Sequence, residues 1–250
     1  MNLISKGRAD NFNRYEWLCD SNFGEWIVKI LSAYGKTIID VGCGNGYMFD
    51  FYASAFDRVA AIDPSRTFED QVCDRAKKNK VDFRVAYAEE IPFESKSFDI
   101  AISKSSFHHF NNVSLGIDEM ARVASKAIAI IEVVAPTSNT IPFLEKLLTE
   151  KESGRKQESV YTTETIDKLL MKNNSVLKIY RHYYDQYIDL DTWIKYSDLS
   201  SEKKIAIKGY INQMDSTVKN DMQYHMRNGH FSMLRRMYMA CLLYTSPSPR

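Results

Sequence analysis

One stretch constrains this chain more than any other: TIIDVGCGNGY, Thr37 to Tyr47. Ile38, Ile39 and Val41 form a short β-branched run of the kind that fills a strand buried on both faces. Asp40 stands near its end, and Gly42, Gly44 and Gly46 then fall at alternate positions. Behind them YMFDFYASA, Tyr47 to Ala55, has the apolar content of a helix. Strand, glycine-rich turn and helix open a βα unit in which a ligand can lie against bare backbone.

The same alternation continues. Short apolar runs recur at Arg58 to Asp63, Val81 to Ala86, Phe98 to Ser103 and Lys126 to Val134, separated by helical stretches at Pro64 to Lys78 and Asn111 to Ala124. A helix over Asn22 to Ala33 precedes them, with Trp26, Ile27, Ile30 and Leu31 on one face. Strands alternating with helices predict an α/β fold: a Rossmann-like, doubly wound, mostly parallel sheet of seven strands, helices on both faces and an antiparallel last strand. Right-handed crossovers then bring Asp40, Asp63, Tyr87, Ser103 and Glu132 to one rim of the sheet. Beyond Pro136 the chain turns polar and helical. It carries an amphipathic helix at Thr163 to Met171, an alternating stretch at Ser175 to Tyr183, polar helical sequence from Asp189 to Asn220, and a final apolar run at Phe231 to Ala240.

The expected organisation is one domain over residues 1–240: an N-terminal helical segment (1–35), a ligand-binding core (36–136) and a late elaboration on the substrate side (137–230). The last ten residues, CLLYTSPSPR (Cys241 to Arg250), resemble one translated frame of a transposase adaptor used in shotgun DNA sequencing. We read 241–250 as a processing scar and leave it out of the fold expectation.

Charge narrows the partners. With 33 basic and 32 acidic side chains the net charge is +1, which gives no electrostatic case for nucleic acid or an anionic membrane. No run approaches the roughly 18 apolar residues of a spanning helix, and the amino terminus is too polar for a secretory signal. Four scattered cysteines, with no CxxC pair, suggest neither zinc nor a disulfide framework. A cytoplasmic protein with a small-molecule substrate is expected; the oligomeric state is open.

The glycines then restrict the ligand. A dinucleotide turn reads G-x-G-x-x-G, whereas here Tyr47 occupies the third glycine slot and would block the close helix-to-strand approach. Asp40 immediately before the turn serves a pyrophosphate poorly and a cationic group well. Asp63, about 20 residues past the turn, can accept from both ribose hydroxyls. A ligand with a ribose and a cationic part, and no diphosphate, follows.

DVGCGNG, IDPS, AEEIPF, FDIAIS and HHF stand in the order and spacing of class I S-adenosylmethionine-dependent methyltransferases, and the chain resembles the type-11 small-molecule subgroup that includes quinone-biosynthesis enzymes. The resemblance is strong over residues 11–136 and weaker beyond. It implies S-adenosyl-L-methionine as cofactor and in-line transfer of its methyl to a small-molecule acceptor. It assigns Asp40 to the glycine loop and the methionine amino group, and Gly42, Cys43, Gly44 and Gly46 to the methionine and ribose portions. Asp63 would take the ribose hydroxyls, Ile62 and Pro64 would pack by the adenine, and Ser103 would border the methionine through its backbone. Members usually carry Asp where this chain has Tyr87, so adenine recognition would fall to Ala88 and Glu89, or affinity would be lowered.

Tyr15 is placed like the aromatic that closes over the cofactor in some members. His108 and Glu132 are substrate-side candidates for a general base, and the catalytic residues stay open because the leaving sulfide is already good. Adjacent residues of a turn diverge, so His108 and His109 do not suggest one metal site, and no metal is expected. Cys43 reads as a packing residue, and His225 and His230 as surface. Two alternatives remain: an adenosyl-ligand binder of the same fold with weakened or no catalysis, and a macromolecule methyltransferase. Balanced charge and the lack of an NPPY-like motif after the fourth strand weigh against the second.

Overall fold

The computed structural model describes residues 21–66, 69–151, 160–172, 176–195, 200–227 and 230–244. Tyr15 lies outside the described residues. Helix α1 (Ser21–Leu31) buries Phe23, Gly24, Ile27 and Leu31, the i, i+4, i+8 stripe of an amphipathic helix. There follow β1 (Thr37–Val41), α2 (Phe49–Ala55), β2 (Arg58–Ile62), α3 (Glu69–Asn79), β3 (Asp82–Arg84) and β4 (Phe98–Lys104). A single 3-10 turn, Phe107–His109, leads to α4 (Val113–Val123) and β5 (Ala124–Val134).

The sheet runs β3-β2-β1-β4-β5 in parallel. From β1 the chain winds outward through β2 and β3, then returns to β4 on the other side of β1. The β1–β4 boundary is therefore a topological switch point, where open α/β sheets leave a crevice at the strand C-terminal ends. Two further strands complete the main path: β6 (Val176–Asp189) at the edge, and β8 (His230–Tyr244), antiparallel to both β5 and β6. The expected seven strands and antiparallel last strand are present. An eighth, short strand, β7 (His225–Arg227), pairs with β8 beside that path.

Boundaries differ from the expectation where tertiary pairing overrides local pattern. β3 ends at Arg84 and not Ala86. β6 runs on to Asp189 because it is paired with β8 along nearly its whole length. β8 continues past Ala240 through Tyr244, burying Cys241 and Leu242 and pairing Leu243 with Ala127.

Each sheet face has its own core. Ile39, Val41, Ile128, Ile130 and Val134 pack with Ile117 and Met120 of α4 and with Ile166 and Leu170 of α6 (Thr163–Met171). On the other face Ile38, Ile100, Ile102 and Ile131 meet α1, α2 and α3 through Ile27, Tyr52 and Val72. A third cluster unites α5 (Ile141–Lys151), α7 (Leu190–Lys195), α8 (Ser201–Asn212) and α9 (Ser216–Asp221) around Phe143, Leu147, Ile194, Ile207, Ile211 and Val218. It follows the C-terminal end of β5, where the Thr137 hydroxyl donates to Asp221 Oδ2 at 2.7 Å. Among the described residues no helix is long and apolar enough to cross a membrane.

Candidate functional site

The glycine turn is held by its neighbours on both sides. The N–H groups of Gly42 and Cys43 both donate to the Ile62 carbonyl, at 2.8 and 3.0 Å. Gly42, Gly44 and Gly46 all have positive φ, +83°, +57° and +74°, a region that costs other residues steric strain. At Gly42 a side chain would also strike Ser106, whose hydroxyl bridges Ser103 Oγ (2.8 Å) and the Val41 carbonyl (3.1 Å). At Gly44 a β-carbon would meet nothing within 4 Å among the described residues. The middle of the turn thus presents backbone to open space.

Two buried carboxylates flank this turn. Asp63 accepts from Gly44 N–H through Oδ2 and from Ser65 N–H through Oδ1, each at 2.8 Å. Burial raises its pKa, and those two backbone donors oppose the rise. The carboxylate that bonds the glycine turn is thus Asp63. Asp40 is 2% exposed, and among the described residues its buried Oδ1 has no hydrogen-bond partner. The Tyr52 hydroxyl beside it favours the ionised form, yet it too lacks a bond of normal geometry. Burial pushes the Asp40 pKa to about 7; the Lys104 charge opposes this and the Asp63 charge adds to it. A buried polar atom without a partner is costly in a folded protein and calls for an explanation, of which a bound group is one.

Cys43 is half-buried, and burial with the Asp63 and Asp40 charges holds its thiol far above the ordinary range, which fits a packing role. Ile62 is buried behind the turn, and Pro64, directly after Asp63, is half-buried. Ser103 is fully buried at the end of β4, its side chain spent on Ser106. Lys104, next along, stands 5.9 Å from the centre of the Tyr47 ring and within electrostatic reach of Asp40. The sequence reading missed Lys104 and Ser106. A signal was available for Lys104, which directly follows Ser103 at the predicted rim.

The loop after β3 is stapled to α4. Ile91 N–H donates to Glu119 Oε2, while Arg122 pairs with Glu119 and donates to the Ile91 and Phe93 carbonyls. Ala88 is buried; Glu89 Oε1 accepts from Asn112 N–H at 2.8 Å, so that carboxylate joins the loop to the start of α4. Tyr87 is 39% exposed.

His108 and Glu132, independent candidates in the sequence, meet. Glu132, 2% exposed on β5, accepts from Phe107 N–H through Oε1 at 2.9 Å and contacts His108 Nδ1 through Oε2 at 3.0 Å. The His109 ring lies 4.1 Å from the His108 ring, centre to centre. His225 is exposed. Just beyond Glu132, a cleft of about 590 Å³ opens at the end of β5, bordered by Pro136, Thr137, Thr162, Glu164, Tyr183 and Arg236. That is within the size range of small-molecule pockets. Among the described residues no group of three or more His, Cys, Asp or Glu is placed to hold a metal ion.

Comparison with known proteins agrees with this geometry. The family profile described as "Methyltransferase domain" matches residues 39–129, the span from β1 to β5. The chain is 36% identical to 27-O-demethylrifamycin SV methyltransferase of Amycolatopsis mediterranei over 94 residues, 36% of this chain and 35% of that protein. It is 31% identical to tRNA U34 carboxymethyltransferase of Pseudomonas putida over 111 residues, 42% of this chain and 35% of that protein. The matched region thus spans about a third of the length of these curated relatives. The crystal structure of the YcgJ protein from Bacillus subtilis superposes with a TM-score of 0.74 at 17% identity, covering 87% of this chain and 97% of that one. Sheet order, switch-point crevice and these likenesses together show that the chain has the class I S-adenosylmethionine-dependent methyltransferase fold.

Proposed function

We propose that this protein binds S-adenosyl-L-methionine at the β1–β4 crevice and transfers its methyl group to a small molecule. One observation carries the reading: the buried, unpartnered Asp40 Oδ1 stands beside a turn whose Gly44 opens on empty space. A ligand with an ammonium group would complete that carboxylate, and bare backbone at Gly44 admits its bulk.

When bound, the cofactor supplies an electrophilic methyl on sulfur, with a neutral thioether as leaving group. The chain's own part is placement. Asp40 orients the ammonium end, and Asp63 retains acceptor capacity for ribose hydroxyls beyond its two backbone donors. Ala88 and Glu89 border the adenine side, with Ile62 and Pro64 packing beneath. The helical cluster after β5 and the cleft beside it hold the acceptor and exclude water, so that donor and acceptor meet in line.

The near-neutral charge supports a small acceptor over a nucleic acid, although several relatives are named for tRNA. Tyr87, in the place of the usual adenine-binding carboxylate, favours as second reading an adenosyl-ligand binder with little turnover. Calorimetry of the full chain with S-adenosyl-L-methionine tests the binding. Labelled methyl transfer into the small-molecule pool of a cell extract, or into its RNA, tests the rest. Absence of binding heat would overturn the proposal; binding without transfer to any pool would leave the binder reading.

A further inference from the structure

Asp40 projects into a layer that is otherwise almost wholly apolar. Alternation along β1 sends its side chain to the face of Ile38, and it registers with Ala61 of β2 and Ile102 of β4. All three neighbours belong to the cluster that α2 covers with Phe49 and Tyr52. Tyr52 is fully buried there, its ring edge-on to Phe56 at 6.2 Å between centres. Its hydroxyl and Asp40 Oδ1 are buried side by side, and among the described residues neither makes a hydrogen bond. A phenylalanine would fill the same space without leaving a polar atom unpaired, so the free fold gains nothing from this oxygen.

The polar groups that act on Asp40 come from four elements: Tyr52 on α2, Cys43 in the turn, Asp63 after β2 and Lys104 at the end of β4. Only one of them is placed to donate to Oδ1. Asp63 is an acceptor, already taken by two backbone N–H groups. Cys43 Sγ is turned to the Gly44 carbonyl at 3.8 Å, and Lys104 Nζ lies over the Tyr47 ring, acting on Asp40 through its charge. Tyr52 is left. Burial and then the Asp40 charge hold its phenol far above the ordinary range, so it keeps its proton and remains a donor.

We propose that the Tyr52 hydroxyl donates to Asp40 Oδ1 when a ligand's ammonium group holds that carboxylate ionised, which makes Tyr52 a positioning residue of the S-adenosyl-L-methionine site. The proposal rests on the cofactor reading above. The ammonium arrives from the crevice and meets the carboxylate on its outer side. The proton that Asp40 carries below neutral pH leaves to solvent, and the inner oxygen, out of reach of solvent, takes its hydrogen bond from Tyr52. Without that donor the ionised state keeps a bare, buried oxygen, and the ligand alone must offset the cost.

Tyr52→Phe removes one oxygen and keeps the ring. The cofactor-free variant at pH 6 should melt at the wild-type temperature or above it, since an unpaired hydroxyl is gone; a clearly lower melting temperature would mean that the hydroxyl serves the free fold, and overturns the proposal. Calorimetry with S-adenosyl-L-methionine between pH 5.5 and pH 8 then reads the site. The midpoint of the affinity profile should move up by about one pH unit in the variant, so that affinity falls about tenfold at pH 6.5 and only about twofold at pH 8. An unmoved midpoint, or an equal loss at both pH values, overturns the proposal and leaves the cofactor reading standing. A wild-type chain that binds no cofactor at any pH overturns that reading, and the proposal with it.

A further readout needs neither variant nor cofactor. In the full chain ¹³C-labelled at aspartate carboxyls and tyrosine Cζ, with Asp40 and Tyr52 assigned through their backbones, the Tyr52 Cζ shift should follow the Asp40 titration with the same midpoint. A Tyr52 signal that stays flat through that titration overturns the proposal, whatever the cofactor does.

Discussion

Asp63 Oδ2 accepts the Gly44 N–H at 2.8 Å, so the second acidic residue of the crevice also fixes the conformation of the first turn. The same carboxylate takes Ser65 N–H on its other oxygen. One side chain therefore links the ends of β1 and β2, and any ribose it receives is bound by a group already oriented.

Asp63→Asn keeps the shape but leaves one acceptor oxygen where two are used. The expected result is a roughly 10- to 100-fold loss of S-adenosyl-L-methionine affinity, as one or two hydrogen bonds to a charged group would give. Asp63→Ala should lose more, since the turn loses both anchors. Calorimetry checks this, and unchanged affinity in the Ala variant would remove the assignment.

Cofactor affinity should depend on pH through Asp40. In the free protein its pKa is pushed up to about 7, chiefly by burial, so below that pH it is largely neutral. An ammonium group needs the ionised form, and binding must then expel the proton. Affinity is expected to be flat above pH 7 and to fall toward tenfold per pH unit below it. Asp40→Asn should bind weakly with no such slope. A wild-type affinity that rises on acidification to pH 6 contradicts the role.

The same residue should limit stability. A carboxyl with folded pKa about 7 and unfolded pKa near 3.9 binds more protons folded than unfolded between those values. Stability therefore falls as pH rises through that window, and the full cost is present above pH 7. Asp40→Asn should stabilise the cofactor-free protein by as much as about 4 kcal/mol at pH 8, and by about 1 to 2 kcal/mol at pH 5. Urea denaturation at both pH values measures it; a gain larger at pH 5 than at pH 8 has the wrong sign.

How much of this was legible beforehand follows from which interactions are local. Asp40, Asp63, Ser103 and Glu132 were placed on one rim because β-branched runs end at them, and strand ends in a parallel sheet share a side. The partner of each residue was not legible. His108 and Glu132 are 24 positions apart, and nothing in their spacing says that the 3-10 turn directs one onto the other. Ser106 was invisible for the same reason, since its role is to fill the space behind Gly42, a glycine on another strand's turn. The length of β6 is set by its pairing with β8, more than 40 residues later in the chain at every pair, and local alternation gives only its first half.

Gly44 and Gly42 separate the demands of ligand and fold. Both have positive φ, so alanine at either costs on the order of 1–2 kcal/mol in backbone strain. At Gly44 the added methyl meets nothing within 4 Å; at Gly42 it lies 2.5 Å from Ser106 Oγ and 2.6 Å from its Cβ. Gly44→Ala should therefore fold, with a melting temperature a few degrees lower, and should lose cofactor affinity because the methyl occupies the face where the ligand lies. Gly42→Ala must also displace Ser106, breaking its bonds to Ser103 and to the Val41 carbonyl, and should be clearly the less stable of the two. Thermal melts with and without S-adenosyl-L-methionine distinguish them. A Gly44→Ala protein that the cofactor stabilises as much as the wild type would mean that the ligand does not rest on this turn.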